Sequence, residues 1–243
     1  MKKTLKKILG SSLSEIISKT IISYSIKRVV KESKRSNLNA EDAIELLFSK
    51  KGKFIRPWQH RKEILELAKL LEARKPKTIL EIGTASGGTL FLSALLADSN
   101  ALIVSIDLEF GMYGGGYPSW KIPLYNSFAK NNQKIELIRG DSHSKLVKDQ
   151  FLKTLHNKKI DYLFIDGDHT YEGVKEDFEF YSKYLSDNAI VAFHDIVSDK
   201  AENPDHFVSV LWNEIKNKYP HFEFINDSTQ SKLGLGVLII KNL

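Results

Sequence analysis

Cysteine is absent from this 243-residue chain, and methionine occurs only twice. The first absence excludes a disulfide framework and any thiolate metal site; it suits the reducing cytoplasm, the expected location, while excluding no other compartment. No uninterrupted apolar stretch approaches the roughly 20 residues of a membrane span, so an integral membrane protein is not expected. Internal repeats and low-complexity segments are missing too. What remains is an ordinary globular composition, 42% hydrophobic and 27% charged, long enough for one α/β domain with a helical appendage.

Acidic residues are scarce in one place. Residues 1–35 carry ten basic groups against two acidic ones, so the formal charge of +6 leaves the rest of the chain at −2. With the globular part nearly neutral, nucleic acid is not an expected partner. In the basic segment Leu5, Ile8, Leu9, Leu13, Ile16, Ile17, Ile21 and Ile22 recur at helical spacing, with Gly10-Ser11-Ser12 weakening the middle. A signal peptide is not read here, because Gly, Ser and Glu15 interrupt any apolar core of about 7–15 residues. The segment is expected to be an amphipathic basic helix, packed on the domain or on a second subunit of a homo-oligomer. Contact with an anionic membrane surface is the alternative. A helical extension over 1–56 and a catalytic domain over 57–243 follow.

Asn39 begins a short helical segment, and Pro57 can open a helix with Trp58, Ile64, Leu67, Leu70 and Leu71 on its apolar positions. Strands and helices then alternate. The strands are Thr78–Ile82, Leu102–Asp107, Ile135–Arg139, Ile160–Asp166 and Ala189–His194, a pattern that predicts a parallel sheet covered on both faces. After a helix around Phe207–Lys218, the strands Phe222–Ile225 and Gly234–Ile240 are joined by too few residues for a helical crossover. They are expected to be antiparallel.

Chemistry-bearing residues collect at the strand ends. The first strand runs into Glu81-Ile82-Gly83-Thr84-Ala85-Ser86-Gly87-Gly88-Thr89, whose glycines let backbone pass close beneath a ligand but do not follow the G-x-G-x-x-G spacing of dinucleotide sites. Asp107 ends the second strand, where a carboxylate can accept from ribose hydroxyls; Asp141-Ser142 follow the third, suited to an adenine edge. The fourth ends in Asp166-Gly167-Asp168-His169 and the fifth in His194-Asp195, where a turn, a helix cap at Asp168 and simple packing are the bland explanations.

The glycine turn, Asp107 and Asp141-Ser142 resemble the cofactor motifs of class I S-adenosylmethionine-dependent O-methyltransferases. The group around catechol and macrocin O-methyltransferases and the cephalosporin-hydroxylase-like proteins is the most similar. The resemblance covers roughly Trp58 to Ile240. It implies a Rossmann-like, doubly wound, seven-stranded sheet, mostly parallel with an antiparallel final strand, plus N-terminal helices. It further implies that Glu81, Gly83, Thr84, Gly87 and Gly88 face the methionine end of the cofactor, Asp107 the ribose, and Asp141 with Ser142 the adenine. By the same resemblance Asp166, His194 and Asp195 would hold Mg²⁺ or Mn²⁺, and His169 would be the base. Catechol-type members carry Lys at the His169 position and macrocin-type members an acidic residue at the His194 position, so this chain departs from both.

Between the second and third strands, Glu109 to Trp120 is rich in glycine and aromatics. Tyr113, Tyr117 and Trp120 are candidates for stacking on an acceptor, though a lid packed by its own aromatics would look the same. The expected activity is methyl transfer to a hydroxyl of a small molecule or saccharide. An NAD-dependent oxidoreductase and a non-catalytic cofactor-binding protein of the same fold are the alternatives.

Overall fold

A computed structural model describes residues 2–35, 37–111, 115–197, 207–227 and 230–241, with side chains from Leu13 onward. Seven strands form one sheet: β1 Thr78–Ile82, β2 Leu102–Asp107, β3 Lys134–Arg139, β4 Ile160–Ile165, β5 Leu185–Val197, β6 His221–Phe224 and β7 Leu233–Ile240. Their spatial order is β3-β2-β1-β4-β5-β7-β6, parallel except that β7 runs antiparallel to both neighbours. The expected sheet and its antiparallel final pair are therefore present.

The central strands are apolar on both faces because both are covered. Ile79, Ile103 and Phe164 meet one helical layer, and Leu80, Val104 and Leu163 meet the other. The first layer contains α1 Lys2–Arg35, α2 Ala40–Phe48, α3 Arg61–Arg74, α4 Gly88–Leu96 and α5 Ile122–Asn126; the second contains α6 Lys145–Leu155, α7 Tyr171–Tyr181 and α8 Val208–Ile215. Every residue of α4 is buried, in keeping with its wholly apolar or small composition. Ile26 and Val29 of α1 and Ile44 and Leu47 of α2 share the first layer's core, so side chains on both sides of residue 56 pack together.

Three local expectations change. The Gly10-Ser11-Ser12 step does not break α1, since a few poor helix formers cost less than interrupting a long hydrogen-bonded run. Pro57 does not open α3, which begins at Arg61; residues 55–60 instead form a strap against Gly88, where a side-chain carbon would come within 2.5 Å of the Ile55 carbonyl oxygen. Asp168 does not cap α7. Thr170 does, accepting from the Gly173 amide at 3.1 Å, while Asp168 accepts from the Thr170 amide at 2.8 Å one step earlier.

Candidate active site

From β1 the chain runs outward to β2 and β3, then crosses back to β4 on the other side of β1 and continues outward to β5. The diverging loops open a crevice at the carboxyl ends of the strands, where this class of sheet binds ligands. It holds a cavity of about 370 Å³, within the range of small-molecule sites. Its wall includes the Gly83–Ser86 turn, Asp107, Gly140–His143, Asp166–Thr170 and His194-Asp195. Five separate strand ends, chosen from sequence alone, thus meet in one space.

The glycine turn is shaped by steric need. Gly83 has φ +93°, and a side-chain carbon there would lie well under 3.0 Å from the Asp166 carbonyl oxygen. Gly87, at φ +85°, starts α4 from the left-handed region. Glu81 is not on the cavity wall; it lies buried beneath the turn, where Ser105 Oγ donates to it at 3.2 Å. Burial pushes its carboxyl up to about 8, against the opposing hydrogen bonds of Thr89 and Ser105. Thr84 pairs with the Ser105 hydroxyl.

Asp107 organises both sides of its loop. One carboxylate oxygen accepts from the Ala85 amide at 2.9 Å and the other from the Gly116 amide at 3.0 Å, tying the glycine turn to the loop after β2. Burial raises its pKa against these backbone hydrogen bonds. In that loop Tyr117 turns into the core, its ring tilted at 59° against Tyr125 with centroids 4.9 Å apart, and Trp120 packs against the same core. Gly111 and Gly115 line the cavity; neither Tyr117 nor Trp120 does, and Tyr113 lies outside the described residues.

The polar cluster lies at the ends of β4 and β5. Successive strand residues normally point to opposite faces, which would separate His194 from Asp195. A bulge solves this: the pairing with β7 shifts after His194, and Asp195 takes φ +60°, so both residues face the cavity. His194 Nδ1 donates to Asp166 Oδ1 at 3.0 Å and lies 3.5 Å from Asp195 Oδ1. His169 places Nε2 3.5 Å from Asp166 and Nδ1 3.2 Å from Asp195. Burial is the strongest single influence and opposes charge on both imidazoles, but the Asp166 and Asp195 carboxylates together outweigh it and raise both above the ordinary histidine range. Asp166 is held low by the same partners in spite of its own burial.

Ligand atoms of Asp166, His169 and Asp195 lie within 4.8 Å of one another, close enough to share one ion. The oxygen and imidazole set fits a divalent metal such as Mn²⁺, with Mg²⁺ favoured less because of the nitrogen. His194, the expected third ligand, abuts this trio through Nδ1, and its Nε2 is buried without a partner among the described residues.

Sequence reasoning missed three cavity residues. Gln59 donates to Asp166 Oδ2 at 2.9 Å, and its own carbonyl oxygen is buried without a partner among the described residues. Trp58, expected on the apolar side of a helix, is 62% exposed at the cavity wall. His143 follows Asp141-Ser142 and places Nε2 3.2 Å from the wholly buried Asp177 and 3.1 Å from the Gly173 carbonyl, with Nδ1 3.5 Å from Asp141. No local signal marked Gln59 or Trp58; its place directly after Asp141-Ser142 was the only hint of His143.

The His143 pair yields a pH prediction. The nearby Asp177 carboxylate raises His143 from 6.5 to about 9 against desolvation, while burial raises Asp177 itself. A raised pKa in the folded state means the imidazolium stabilises fully below the unfolded value and the contribution disappears as pH rises through about 9. Calorimetric melting across that window is expected to show a steeper alkaline loss of Tm for the native chain than for His143→Gln; parallel curves would refute the pairing.

The order of strands, the reversed β7 and the crevice at the strand ends define a Rossmann-like, doubly wound sheet of the kind found in class I methyltransferases. Residues 80–196 match the family model described as a methyltransferase domain. Among solved structures it is similar to an O-methyltransferase from Streptomyces achromogenes, involved in tomaymycin synthesis and solved with S-adenosylmethionine. The TM-score is 0.52, with 16% identity over 88% of this chain and 90% of that one. An O-methyltransferase from Bacillus cereus solved with S-adenosylhomocysteine gives a TM-score of 0.50, with 18% identity over 89% and 90% of the two chains. At such identities the likeness is one of fold. Curated relatives include protein R132 of Acanthamoeba polyphaga mimivirus, 31% identical over 61% of this chain and 64% of that one. Protein y4gI of Sinorhizobium fredii is 29% identical over 64% of this chain and 17% of that one. The match spans less than two thirds of either relative.

Proposed function

We propose that the protein transfers a methyl group from S-adenosylmethionine to a hydroxyl of a small-molecule or saccharide acceptor, with a divalent ion held by Asp166, His169 and Asp195. The observation that carries this reading is the single cavity shared by the glycine turn, Asp107 and the Asp166–His169–Asp195 cluster. When bound, the cofactor supplies an electrophilic methyl group, and a divalent ion lowers the pKa of an acceptor hydroxyl.

The chain's own groups bind and orient. Asp107 takes the ribose hydroxyls with the lone pairs left by its two amide contacts, and Asp141 with Ser142 meets the adenine edge. His194 donates to Asp166 and Gln59 to its other oxygen, so the carboxylate is held in one orientation from two sides. Trp58 offers an exposed ring on which a sugar face or an aromatic acceptor can stack. A second assignment, with His194 completing the donor set and His169 accepting the acceptor's proton, is supported by His194 standing 3.0 Å from Asp166 and 3.5 Å from Asp195.

Asp107→Ala is expected to weaken S-adenosylhomocysteine binding by about 1.5–3 kcal/mol, the usual worth of hydrogen bonds to a charged group. Titration calorimetry measures it, with NAD as the comparison ligand. Binding of NAD without S-adenosylhomocysteine would overturn the methyltransferase reading in favour of the oxidoreductase. Cofactor binding with no transfer to any sugar or phenolic hydroxyl would leave a cofactor-binding protein.

A further inference from the structure

The long helix α1 has two different apolar faces. Its C-terminal part packs on the body through Ile26, Val29, Val30 and Ser33, all buried. Residues 13–18, 20 and 21 are exposed on every side, so the helix stands clear of the body before Ile22. On that free part Leu13, Ile17 and Ile21 are 60%, 50% and 51% exposed, and Tyr24, on the outward side just beyond it, is 68% exposed. At about 100° per residue these four fall within an arc of about 80°, and the arc points away from the buried face. Neither the body nor any described segment covers it.

The same outward arc continues along the axis as charge. Arg28, Lys31 and Arg35 lie on it and Lys27 and Lys34 flank it by about 40–60°, all exposed and none in an ion pair among the described residues. The two acidic residues of the segment are both neutralised, Glu15 by Lys19 at 2.7 Å and Glu32 by Lys51 at 2.8 Å. An apolar stripe running into a cationic one matches a surface that is apolar below and anionic above.

We propose that α1 is a peripheral membrane anchor that lies on anionic lipid, its apolar arc entering the headgroup boundary and its basic arc contacting lipid phosphates. Charge decides between occupants. A second copy would set one segment of net +8 against another, which repels over the Debye length of about 8–10 Å. A nucleic acid would use the lysines and leave four large apolar side chains in water. The inference stands on α1 alone and does not depend on the methyl-transfer reading.

The test is co-sedimentation of the full chain with vesicles of phosphatidylcholine, with and without about one third phosphatidylglycerol. Partition is expected to be at least about 10-fold greater with the anionic lipid and to fall with added salt. Ile17→Gln with Ile21→Gln, which keeps helix propensity, and Lys27→Glu with Lys31→Glu are each expected to reduce it about 10-fold. Both variants should keep the native Tm and S-adenosylhomocysteine binding. Equal partition into the two vesicle types would overturn the proposal, as would the Gln pair binding like the native chain. So would a doubled mass without vesicles that the Gln pair abolishes, which would assign the stripe to a second copy. Tighter binding to duplex RNA than to anionic vesicles would also overturn it.

Discussion

Asp166→Ala is expected to lower divalent-metal affinity at least about 10²-fold and to reduce methyl transfer by about 10³-fold or more, with S-adenosylhomocysteine affinity changed less than about 3-fold. The size follows from what meets at that carboxylate: His194 and His169 approach one oxygen, and Gln59 donates to the other. Its loss removes a ligand and unfastens both imidazoles. Cofactor affinity is spared because Asp107 ends β2 and Asp141 with Ser142 follow β3, away from the β4 end that carries Asp166. Asp166→Asn keeps the shape while removing the charge, and it should fail in the same way. The histidines then separate the two assignments. If His169 is a ligand, His169→Ala lowers metal affinity strongly and His194→Ala only modestly; if His194 is the ligand, the order reverses. In the second case His169→Ala slows transfer roughly 10²–10⁴-fold without loss of metal. Metal titration by calorimetry, beside transfer assays on sugar and catechol acceptors after chelator treatment, measures every term. Undiminished transfer by chelated Asp166→Ala would remove the metal from the proposal.

Gly83→Ala is expected to cost about 3 kcal/mol or more of folding stability and to abolish measurable S-adenosylhomocysteine binding. Two independent penalties act there. The backbone stands at φ +93°, and the added methyl would overlap the Asp166 carbonyl where the β1 and β4 loops cross. Relief requires the two strand ends to part, and the cofactor cradle and metal cluster are built on those ends. Gly111→Ala is the control from the same cavity: its nearest neighbour would be 3.6 Å away, so a near-native protein is expected. Urea denaturation and calorimetry decide it. A Gly83→Ala protein with native stability and native cofactor affinity would show that the turn is not the cradle.

Much of this was legible along the chain because the information is local. A parallel strand buried on both faces must be a short apolar run, and the residue that ends it must tolerate exposure at the crevice. Reading those runs located β1, β2, β4 and β5 to within a few residues, apart from the early start of β5 at Leu185. It also brought Gly83, Asp107, Asp141, Asp166 and His194 into view as strand-end groups. The reversed β7 was legible too, since Asn226–Leu233 is too short to carry a helix across the sheet.

Other features are decided only by tertiary structure, because they depend on contacts between distant segments. Gln59 and Asp166 are 107 positions apart, and only the strap packed against Gly88 brings them together. The same strap turned Trp58 from an expected core residue into part of the cavity wall. Tyr117 looked like a ligand contact by composition, yet core packing against Tyr125 drew it inward. The bulge at Asp195 decided that two adjacent residues share one cavity, and His143 became part of a charged pair only because α7 presents Asp177 to it. Periodicity and spacing thus determined the sheet and the residues that reach its ligand-bearing edge. Which atoms meet there was set by packing, since a chain encodes neighbours in space only through the closure of the fold.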